Sequence, residues 1–351
     1  MAVTLANIAE LAKTHPSTVS LVLNGRQVHR VSPATRERIE RIAKELGYSA
    51  NRHAQGLARG ATKTVALLLN DLSNPFFGRY VSLLEKHFEG HGYHVMPLDT
   101  QWKNAREVEL MSHLRQGLCD LVLSLVHYQR DDDESLAHGP IVVRLDGWEE
   151  QPLASPLSTV VVRYLPSLIK LIQHFEQSGR RTLGLILHEN NEPFSASVTE
   201  SRYAAAFRAV LGQSSLQSGR RFQASVHENE PLDAWHQAAI DLLQRQPTID
   251  SLIVHTSSYV APVLEAARRL GRVVGKDLAV ATFDDPPFAA WAEGGVTVIR
   301  EPMEQVAAAL AERSLALLAG EPHPPNLSVD AELVVRASTD PSTARPLILG
   351  V

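Results

Sequence analysis

The most informative hydrophobic pattern of this chain lies at its start, where a few polar residues separate two short apolar stripes with helical spacing. The first stripe consists of Leu5, Ile8, Ala9 and Ala12, and it predicts a helix over residues 5–12. Such a small helical unit has almost no core of its own. Its exposed face is therefore the part that we expect to carry a function.

A second helix is predicted to begin at Pro16, because the N–H group that proline lacks would have no partner at the first helical position. Its inward face contains Val19, Val22 and Leu23. The opposite face is short, polar and free of bulky charge, as a helix must be to enter the major groove of DNA. That face contains Ser17, Thr18, Ser20, Leu21 and Asn24. The alternative is a small helical hairpin that caps a larger domain.

A third helix is predicted after Ser32, a residue type that caps helices, which is followed by Pro33. Its apolar stripe consists of Ile39, Ile42, Ala43 and Leu46. Gly47 then ends the helix. The three helices are expected to form one compact unit, and the short, basic and weakly helical stretch 51–60 leads from it into a strand.

From Thr64 onward, short β-branched runs alternate with amphipathic helical patterns, which predicts parallel sheets with helices on both faces. Continuous apolar runs such as VALLL fit strands that are buried on both sides. The strands are predicted at Val65–Leu69, Tyr93–Pro97, Leu121–Leu125, Ile141–Leu145, Thr182–Leu187, Ser251–Val254 and Leu278–Thr282. The helices are predicted at Tyr80–His91, Ala105–Gln116, Leu165–Gln177, Tyr203–Leu211, Ala234–Gln244, Tyr259–Leu270 and Met303–Leu318.

The distribution of charge favours DNA binding at one end of the chain, although the net charge of all 351 residues is −5. Residues 1–63 contain ten lysine or arginine residues and four acidic residues, a net charge of +6, so that the remainder carries −11. A basic head on an acidic body directs phosphate attraction to the head. A basic tail with another purpose is the alternative.

Composition also limits the classes of protein to which this chain can belong. The chain is long enough for two or three domains. Its single cysteine, Cys119, excludes internal disulfides and fits a reducing compartment. Neither a signal sequence nor an apolar run of bilayer-spanning length is evident, so we expect a cytoplasmic protein.

Six segments together resemble the lactose-repressor (LacI/GalR) family of bacterial transcription regulators. They keep the order and approximate spacing of the family and span nearly the whole chain: Thr18–Gly25, Val31–Ile39, Glu45–Tyr48, Leu57–Gly60, Ser73–Phe77 and Phe283–Asp285. The resemblance implies an N-terminal all-α three-helix helix-turn-helix domain. It also implies an α/β effector domain like periplasmic binding proteins, built from two doubly wound parallel-sheet subdomains between which the chain crosses three times.

The domain boundaries follow from placing these elements on the sequence. The helix-turn-helix domain is predicted at 1–49, the hinge helix or linker at 50–63, and the effector-binding and dimerisation domain at 64–351. Within the last, the N-subdomain is predicted at about 64–162 and 294–325, and the C-subdomain at about 163–293 and 326–351.

The residues predicted to contact DNA lie in the head and the linker. They are Thr4, Pro16, Ser17, Thr18, Leu21, Asn24, Arg36, Asn51, Arg52, Gln55, Leu57 and Arg59. Ser17 and Thr18 are expected to read base edges and Leu21 a thymine methyl group, whereas the arginines meet phosphates. Because one head buries too little surface for strong specificity, a homodimer on a near-palindromic operator is expected.

The linker is too short to be a stable helix alone, and Gly56 weakens it further. Our hypothesis is that it folds only on DNA, beside its copy from a second subunit. Leu57 then inserts into a minor-groove step and bends the duplex. The alternative is that Leu57 only packs the two linkers together.

The residues predicted to bind the effector follow strands, because ligands of open α/β sheets bind at the carboxyl ends of the strands. They are Asp71, Asn74, Phe76, Phe77, Asp146, Arg202 and Asp284. The resemblance implies that Arg202 and Asp284 meet the effector across the cleft. The alternatives are that Asp284 and Asp285 cap a following helix and that Phe76 and Phe77 belong to the core.

Several positions depart from the family pattern. Arg163-Tyr164 stands where the family usually has Asp-Asn, and Thr256-Ser257 stands where it has Asn-Asp, which weakens the expectation of a simple sugar effector. Arg163 either favours an anionic ligand, such as a sugar acid, or forms a surface salt bridge. In the head, Lys13 replaces a turn glycine and His15 replaces a serine cap.

These features predict a sequence-specific transcriptional regulator, a repressor by the family's usual mode, whose operator affinity a sugar or related metabolite controls. The chain shows no zinc-type histidine pair, phosphate-binding glycine loop or nucleophile elbow, so neither enzymatic activity nor a metal or other cofactor is expected. A periplasmic solute-binding protein would share the body, but it would need a signal peptide and would lack residues 1–63.

Overall fold

The structure is a computed structural model, and it describes residues 3–23, 30–48, 61–125, 140–147, 158–188, 202–227, 230–322 and 326–343. The chain divides into two compact units. The first unit consists of residues 1–63 and 117–120, and the second consists of residues 64–116 and 121–351.

Three helices form the first unit within the described residues: α1 (Leu5–Leu11), α2 (Pro16–Leu23) and α3 (Pro33–Glu45). The inward-facing positions predicted from the apolar stripes form its shared core, which contains Ile8, Ala9, Ala12, Val19, Val22, Ile39, Ile42 and Ala43. Leu46 differs from the prediction, because it follows the last turn of α3 and remains 36% exposed.

The second unit alternates strands and helices. Its elements are, in chain order, β1 (Thr64–Leu69), α4 (Pro75–Glu89), β2 (His94–Asp99), α5 (Asn104–Leu114), β3 (Leu121–Ser124), β4 (Ile141–Gly147), β5 (Ser158–Arg163), α6 (Leu165–Gln177), β6 (Leu183–His188), α7 (Arg202–Leu211), β7 (Gln223–Val226), α8 (Leu232–Arg245), β8 (Ser251–Val254), α9 (Val260–Arg269), β9 (Ala279–Phe283), β10 (Thr297–Arg300), α10 (Met303–Leu318), β11 (Asn326–Asp330) and β12 (Glu332–Val334). None of the helices described is both long enough and apolar enough to cross a membrane.

The strands form two sheets with closely similar orders. The first sheet runs β11-β5-β4-β3-β1-β2 and the second runs β12-β10-β9-β8-β6-β7. Every pairing in the first sheet is parallel, and the second sheet differs only in that β12 runs antiparallel to β10. A three-helix head followed by two parallel-sheet α/β halves confirms the predicted fold class.

Simple sequence rules explain why the elements next to the cavity described below form. In β1, five consecutive apolar residues are fully buried, as expected for a central parallel strand. In α4, the side chain of Asn74 accepts a hydrogen bond from the Phe76 N–H at 3.0 Å, and Pro75 occupies the first helical position. The buried face of α4 contains Phe77, Tyr80, Leu84 and Phe88 at helical spacing.

The chain crosses between the sheets after β5, after β10 and after β11. These crossings differ from the predicted subdomain boundaries at 294 and 325, because β10 belongs to the second sheet and β11 to the first. Neither strand was predicted from the sequence, since TVIR has only four residues and NLSVD is half polar. The first and third crossings are linked by a hydrogen bond from the Ala331 N–H to the Arg163 carbonyl oxygen at 3.1 Å.

Candidate DNA-binding face and effector cavity

A tight turn joins α1 to α2 and sets the direction of the second helix. Lys13 adopts a left-handed conformation with a φ of 50°, which explains why a glycine suits this position. The Thr14 N–H donates to the Ala9 carbonyl oxygen at 2.9 Å and so closes the end of α1. The turn is therefore formed even though a lysine occupies the strained position.

His15 caps α2. Its carbonyl oxygen accepts hydrogen bonds from the N–H groups of Thr18 and Val19, at 2.9 and 3.2 Å. Its Nδ1 atom accepts a hydrogen bond from the Ser17 N–H at 3.3 Å and lies 2.8 Å from the Ser17 hydroxyl oxygen. The imidazole nitrogen of His15 thus accepts the hydrogen bond that the side-chain oxygen of a serine would accept at the start of this helix.

The outer face of α2 is available to a partner. Pro16 and Ser17 are exposed, and Thr18 and Leu21 are half-buried. On α3, Arg36 is exposed and lies 3.6 Å from a carboxylate oxygen of Glu40.

Thr4 has a structural role, because its side chain caps α1 by accepting the Asn7 N–H at 3.3 Å and donating to the Asn7 side chain at 2.7 Å. The other predicted DNA contacts, Asn24, Asn51, Arg52, Gln55, Leu57 and Arg59, lie outside the described residues.

A cavity of about 550 Å³ opens at the carboxyl ends of the strands of both sheets. The loops after β1 and β2 line it from the first sheet, and the segments before α8 and after β8 and β9 line it from the second. The lining residues are Asn70, Asp71, Ser73, Asn74, Pro75, Asp99, Gln101, Trp102, Glu230, Pro231, Leu232, Ser258, Tyr259 and Phe288. This is the position at which α/β proteins bind small ligands.

Main-chain hydrogen bonds hold the polar side of the cavity in place. Asp71 Oδ1 accepts hydrogen bonds from the Ser73 N–H at 2.8 Å and from the Ser73 hydroxyl at 2.6 Å. Asp99 accepts the Gln101 N–H at 2.8 Å and the Leu72 N–H at 3.3 Å. Both carboxylates are therefore oriented before any ligand arrives.

Three aromatic residues, Trp102, Tyr259 and Phe288, also line the cavity, and we call them the aromatic wall. Tyr259 stacks on the fully buried Trp235 with a centroid distance of 3.7 Å and an interplanar angle of 5°. Trp102 follows β2 in a left-handed conformation with a φ of 57°. Stacking behind Tyr259 limits its motion, so this part of the wall is rigid.

Two histidines lie next to the aromatic wall. His188, at the end of β6, is 1% exposed, and its ring centroid lies 5.7 Å from that of Trp102 and 5.3 Å from that of Tyr259. Burial lowers the pKa of His188 to about 4. Burial, together with His188, also lowers the pKa of His255 well below its ordinary value. Both rings are therefore neutral at pH 7 and add no positive charge near the cavity.

The cavity includes only part of the predicted effector set. Asp71 and Asn74 line it. Phe77 is 4% exposed and belongs to the core, which corrects its assignment to the site, because helical spacing places it on the buried face of α4. Phe76 packs against the same core and does not line the cavity.

Asp284 is also absent from the cavity lining. Its Oδ2 accepts a hydrogen bond from the Thr256 hydroxyl at 3.0 Å, and burial raises the pKa of Asp284 to about 6. Asp285 forms an ion pair with Arg336 at 2.6 Å rather than capping a helix. The main chain of Asp146 and Arg202 lies in β4 and α7, and their side chains lie outside the described set.

Arg163 forms a salt bridge with Asp330 on β11, with a nitrogen–oxygen distance of 2.7 Å. Both side chains are about half exposed. Of the two alternatives from the sequence, the structure supports the surface salt bridge. Arg163 is not part of the cavity.

A buried carboxyl group lies where the chain crosses after β10. The hydroxyl groups of Tyr80 and Tyr164 donate to the two carboxyl oxygens of Glu301. Burial raises the pKa of Glu301 to about 8. Burial and the charge of Asp284 also raise the pKa of Tyr164 well above its ordinary value. This cluster, which we call the Glu301 cluster, ties the first and second crossings to α4.

Sequence reasoning missed most of the lining residues. Asp99 is the last residue of β2, and Gln101 and Trp102 come just after it. The rule that places Asp71 at a strand end would have found them if the strand had been predicted two residues longer. Glu230, Tyr259 and Phe288 gave no comparable signal. Glu230 precedes α8, and Tyr259 and Phe288 lie in short 3₁₀ helices, so that the proximity of all three depends on the strand order.

Comparisons with known proteins agree with this architecture. Residues 4–51 match the family described as bacterial regulatory proteins, lacI family, and residues 172–339 match the periplasmic binding protein-like domain. A relative, the HTH-type transcriptional regulator PtxS of Pseudomonas plecoglossicida, is 26% identical over 343 residues, which cover 96% of each chain.

Two solved structures extend the comparison. The transcriptional regulator CelR–cellobiose complex is 26% identical with a TM-score of 0.64, and the match covers 96% of this chain and 99% of that one. The lac repressor dimer bound to operator and the anti-inducer ONPF is 19% identical with a TM-score of 0.77. That match covers 97% of this chain and 100% of the other chain. The second likeness shows the fold.

Proposed function

The chain belongs to the lacI family of bacterial regulatory proteins, and from this premise we propose that it is a transcriptional regulator that binds operator DNA as a homodimer. Repression is the proposed mode of action. A small molecule bound in the cavity changes its affinity for DNA, and we place the protein in the cytoplasm with its target. The relatives found are regulators rather than enzymes.

The outer face of α2 is the observation that carries this proposal. The left-handed Lys13 and the cap at His15 present Ser17, Thr18 and Leu21 on one short face without bulky charge. Such a face fits the major groove, where hydroxyl groups read base edges and an aliphatic side chain contacts a thymine methyl group. The net charge of +6 on residues 1–63 supplies the attraction to phosphate.

The cavity supports the effector half of the proposal. It combines hydrogen-bonding carboxylates with aromatic faces, which is how proteins bind small polar rings. It is lined by both sheets, so a ligand that contacts both changes the equilibrium between their arrangements. A coupling of about 3 kcal/mol between effector and operator is enough for a hundredfold switch.

Selection of DNA sequences on the full-length protein, followed by gel shifts at several salt concentrations, tests the DNA-binding half. We expect a near-palindromic site whose affinity falls steeply with salt. Leu21→Ala is expected to change the preferred sequence. Arg36→Ala is expected to weaken binding to all sequences about equally.

Arg41→Ala is the matched control for the arginine, because Arg41 lies on the same helix and pairs with Glu45 at 3.3 Å. It makes the same change in charge and should weaken binding less than Arg36→Ala. Failure of the full-length protein to bind any duplex, even at low ionic strength, would contradict the proposal. Binding without sequence preference would contradict its specific part.

A further inference from the structure

The charge of the cavity lining points to the charge of its ligand. Three of the lining residues, Asp71, Asp99 and Glu230, carry carboxylates, and no lysine or arginine is among the lining residues that the structure describes. The hydrogen-bond donors that hold Asp71 and Asp99 are main-chain N–H groups and one hydroxyl, which are all neutral. The negative charge of the lining is therefore not balanced by the contacts that position it.

Among the side chains that the structure describes, two cations bond to lining residues without lining the cavity themselves. Arg106 Nε donates to the main-chain oxygen of Asp99 at 2.7 Å, and Lys103 Nζ donates to the side chain of Gln101 at 3.4 Å. Neither residue lines the cavity. Arg163 pairs with Asp330, and His188 is neutral at pH 7 because burial lowers its pKa.

The aromatic wall adds a second attraction for positive charge. The face of an aromatic ring carries partial negative charge, so a cation above Trp102, Tyr259 or Phe288 is stabilised. The same faces pack against the C–H groups of a ring. The stacking of Tyr259 on Trp235 at 3.7 Å fixes one of these faces in advance.

A buried polar side chain at the cavity completes the site. Asn70, at the end of β1, lines the cavity although it is only 1% exposed. Its Oδ1 accepts a hydrogen bond from the Thr100 hydroxyl at 3.1 Å, and no described hydrogen bond involves its amide nitrogen. A buried amide of this kind needs a polar partner, which a hydroxyl group of the ligand supplies.

We propose that the effector is a positively charged, amine-bearing ring with hydroxyl groups, held against the aromatic wall with its amine facing Asp71, Asp99 and Glu230. This inference rests on the proposed function, in which the cavity binds the effector. It selects a cationic ligand over the neutral sugar or sugar acid expected from the sequence. Acids are repelled by the same three carboxylates.

Calorimetric titration of the full-length protein with sugar rings of the same configuration that carry a positive charge, no charge or a negative charge is the direct test. Glucose, glucosamine and glucuronic acid form one series and the corresponding galactose compounds form the second. At about pH 6.5 the amines are protonated. In at least one series the amine should bind about tenfold more tightly than its parent sugar, and the acid should not bind. Raising the salt concentration should reduce this preference.

Substitutions that each neutralise one carboxylate of the cavity show which carboxylates attract the amine. Glu230→Gln should lower the affinity for the amine several-fold and should lower it more than the affinity for the parent sugar. It is the preferred variant, because Glu230 is exposed and no described hydrogen bond involves its carboxylate. Asp99→Asn should act in the same direction, although Asp99 also accepts two main-chain N–H groups.

Asp241→Asn is the matched control, because Asp241 lies on α8, is exposed and does not line the cavity. It removes the same charge and should leave the affinity for the amine unchanged. An equal loss with Asp241→Asn would show a general charge effect and overturn the assignment.

Two further results overturn the inference: binding of the neutral sugar or the acid that is as tight as that of the amine, and absence of binding by both amines. Neither result bears on DNA recognition. Operator binding measured without any ligand tests the proposed function separately, because it depends on the head.

Discussion

The two halves of the second unit differ in what they bring to the cavity, although their strand orders are closely similar. The first sheet contributes Asp71 and Asp99, and Trp102 from the loop after β2. The second sheet contributes Tyr259 and Phe288 after its strands and Glu230 before α8. Charge thus lies mainly on one half, and aromatic surface mainly on the other.

The repeated topology determines where the cavity lies. In both halves, parallel strands end at the same edge, so that the following loops meet around one cavity. The chemistry is set separately by the residues at and after the strand ends, as the fully buried His188 at the end of β6 and the Asp99 carboxylate at the end of β2 illustrate. A closely similar strand order therefore supports two different binding surfaces.

The largest expected effect concerns the Glu301 cluster, where the two halves join. The pKa of Glu301 is raised to about 8 in the folded protein, so its contribution to stability is fully present below its unfolded pKa of 4.5 and is lost as pH rises through 8. Relative to Glu301→Gln, which stays neutral, the wild type should lose on the order of 5 kcal/mol between pH 4 and pH 9. Urea unfolding at several pH values measures this difference.

Glu304→Gln is the control for that experiment. Glu304 lies three residues further on and is largely exposed, and its hydrogen bond with Arg79 lowers its pKa. A lowered pKa affects stability only in acid, so this variant should follow the wild type from pH 5 to pH 9. Parallel stability curves for the wild type and Glu301→Gln would show that Glu301 is not held neutral by the fold.

A smaller effect is expected when only the packing of the second half, which contributes most of the aromatic surface, is weakened. Trp235 is fully buried and stacks on Tyr259, so Trp235→Ala leaves a cavity and should reduce the free energy of unfolding by about 3–5 kcal/mol. Circular dichroism during urea unfolding measures the loss. Trp291→Ala is the matched control, because Trp291 is 72% exposed and its removal should cost less than about 0.5 kcal/mol. Equal losses of unfolding free energy for both variants would contradict a stabilising role for the packing of Trp235 against Tyr259.

The smallest effect is expected at the edge of the first sheet. Arg163→Ala removes an exposed salt bridge with Asp330 and should change the free energy of unfolding by no more than about 1 kcal/mol. Ligand affinity in the calorimetric series should stay unchanged, because Arg163 does not line the cavity. A change in affinity for the sugar acids alone would show that Arg163 contributes to the effector site.

Much of the fold was predictable because long apolar stripes identify helices. The bounds predicted for α6 and α10 agree with the structure, and both helices bury faces against a sheet. Five strands were not predicted: β5, β7, β10, β11 and β12. All of them except β5 have only three to five residues, and all five mix polar with apolar types. Such strands are held by pairing with neighbours that the sequence pattern does not reveal.

The site was less predictable than the fold. The place of Asp71 and Asn74 in the cavity lining was predictable because they come shortly after an obvious strand, whereas Tyr259 and Phe288 become neighbours of Asp71 only through the strand order. The error at Phe77 was avoidable, since helical spacing from Tyr80 already places it on the buried face. The contacts predicted for DNA in the head remain predictions, and operator binding by the variants at Leu21 and Arg36 is their test.

The late position of β11 and β12 has a consequence for how the protein is made. These strands occupy residues 326–334, and each completes the edge of a different sheet. A chain emerging from the ribosome therefore finishes neither sheet until residues 326–334 have been translated. Apolar strand edges on both halves stay open to other nascent chains in that interval, so rapid synthesis should increase the demand for chaperones.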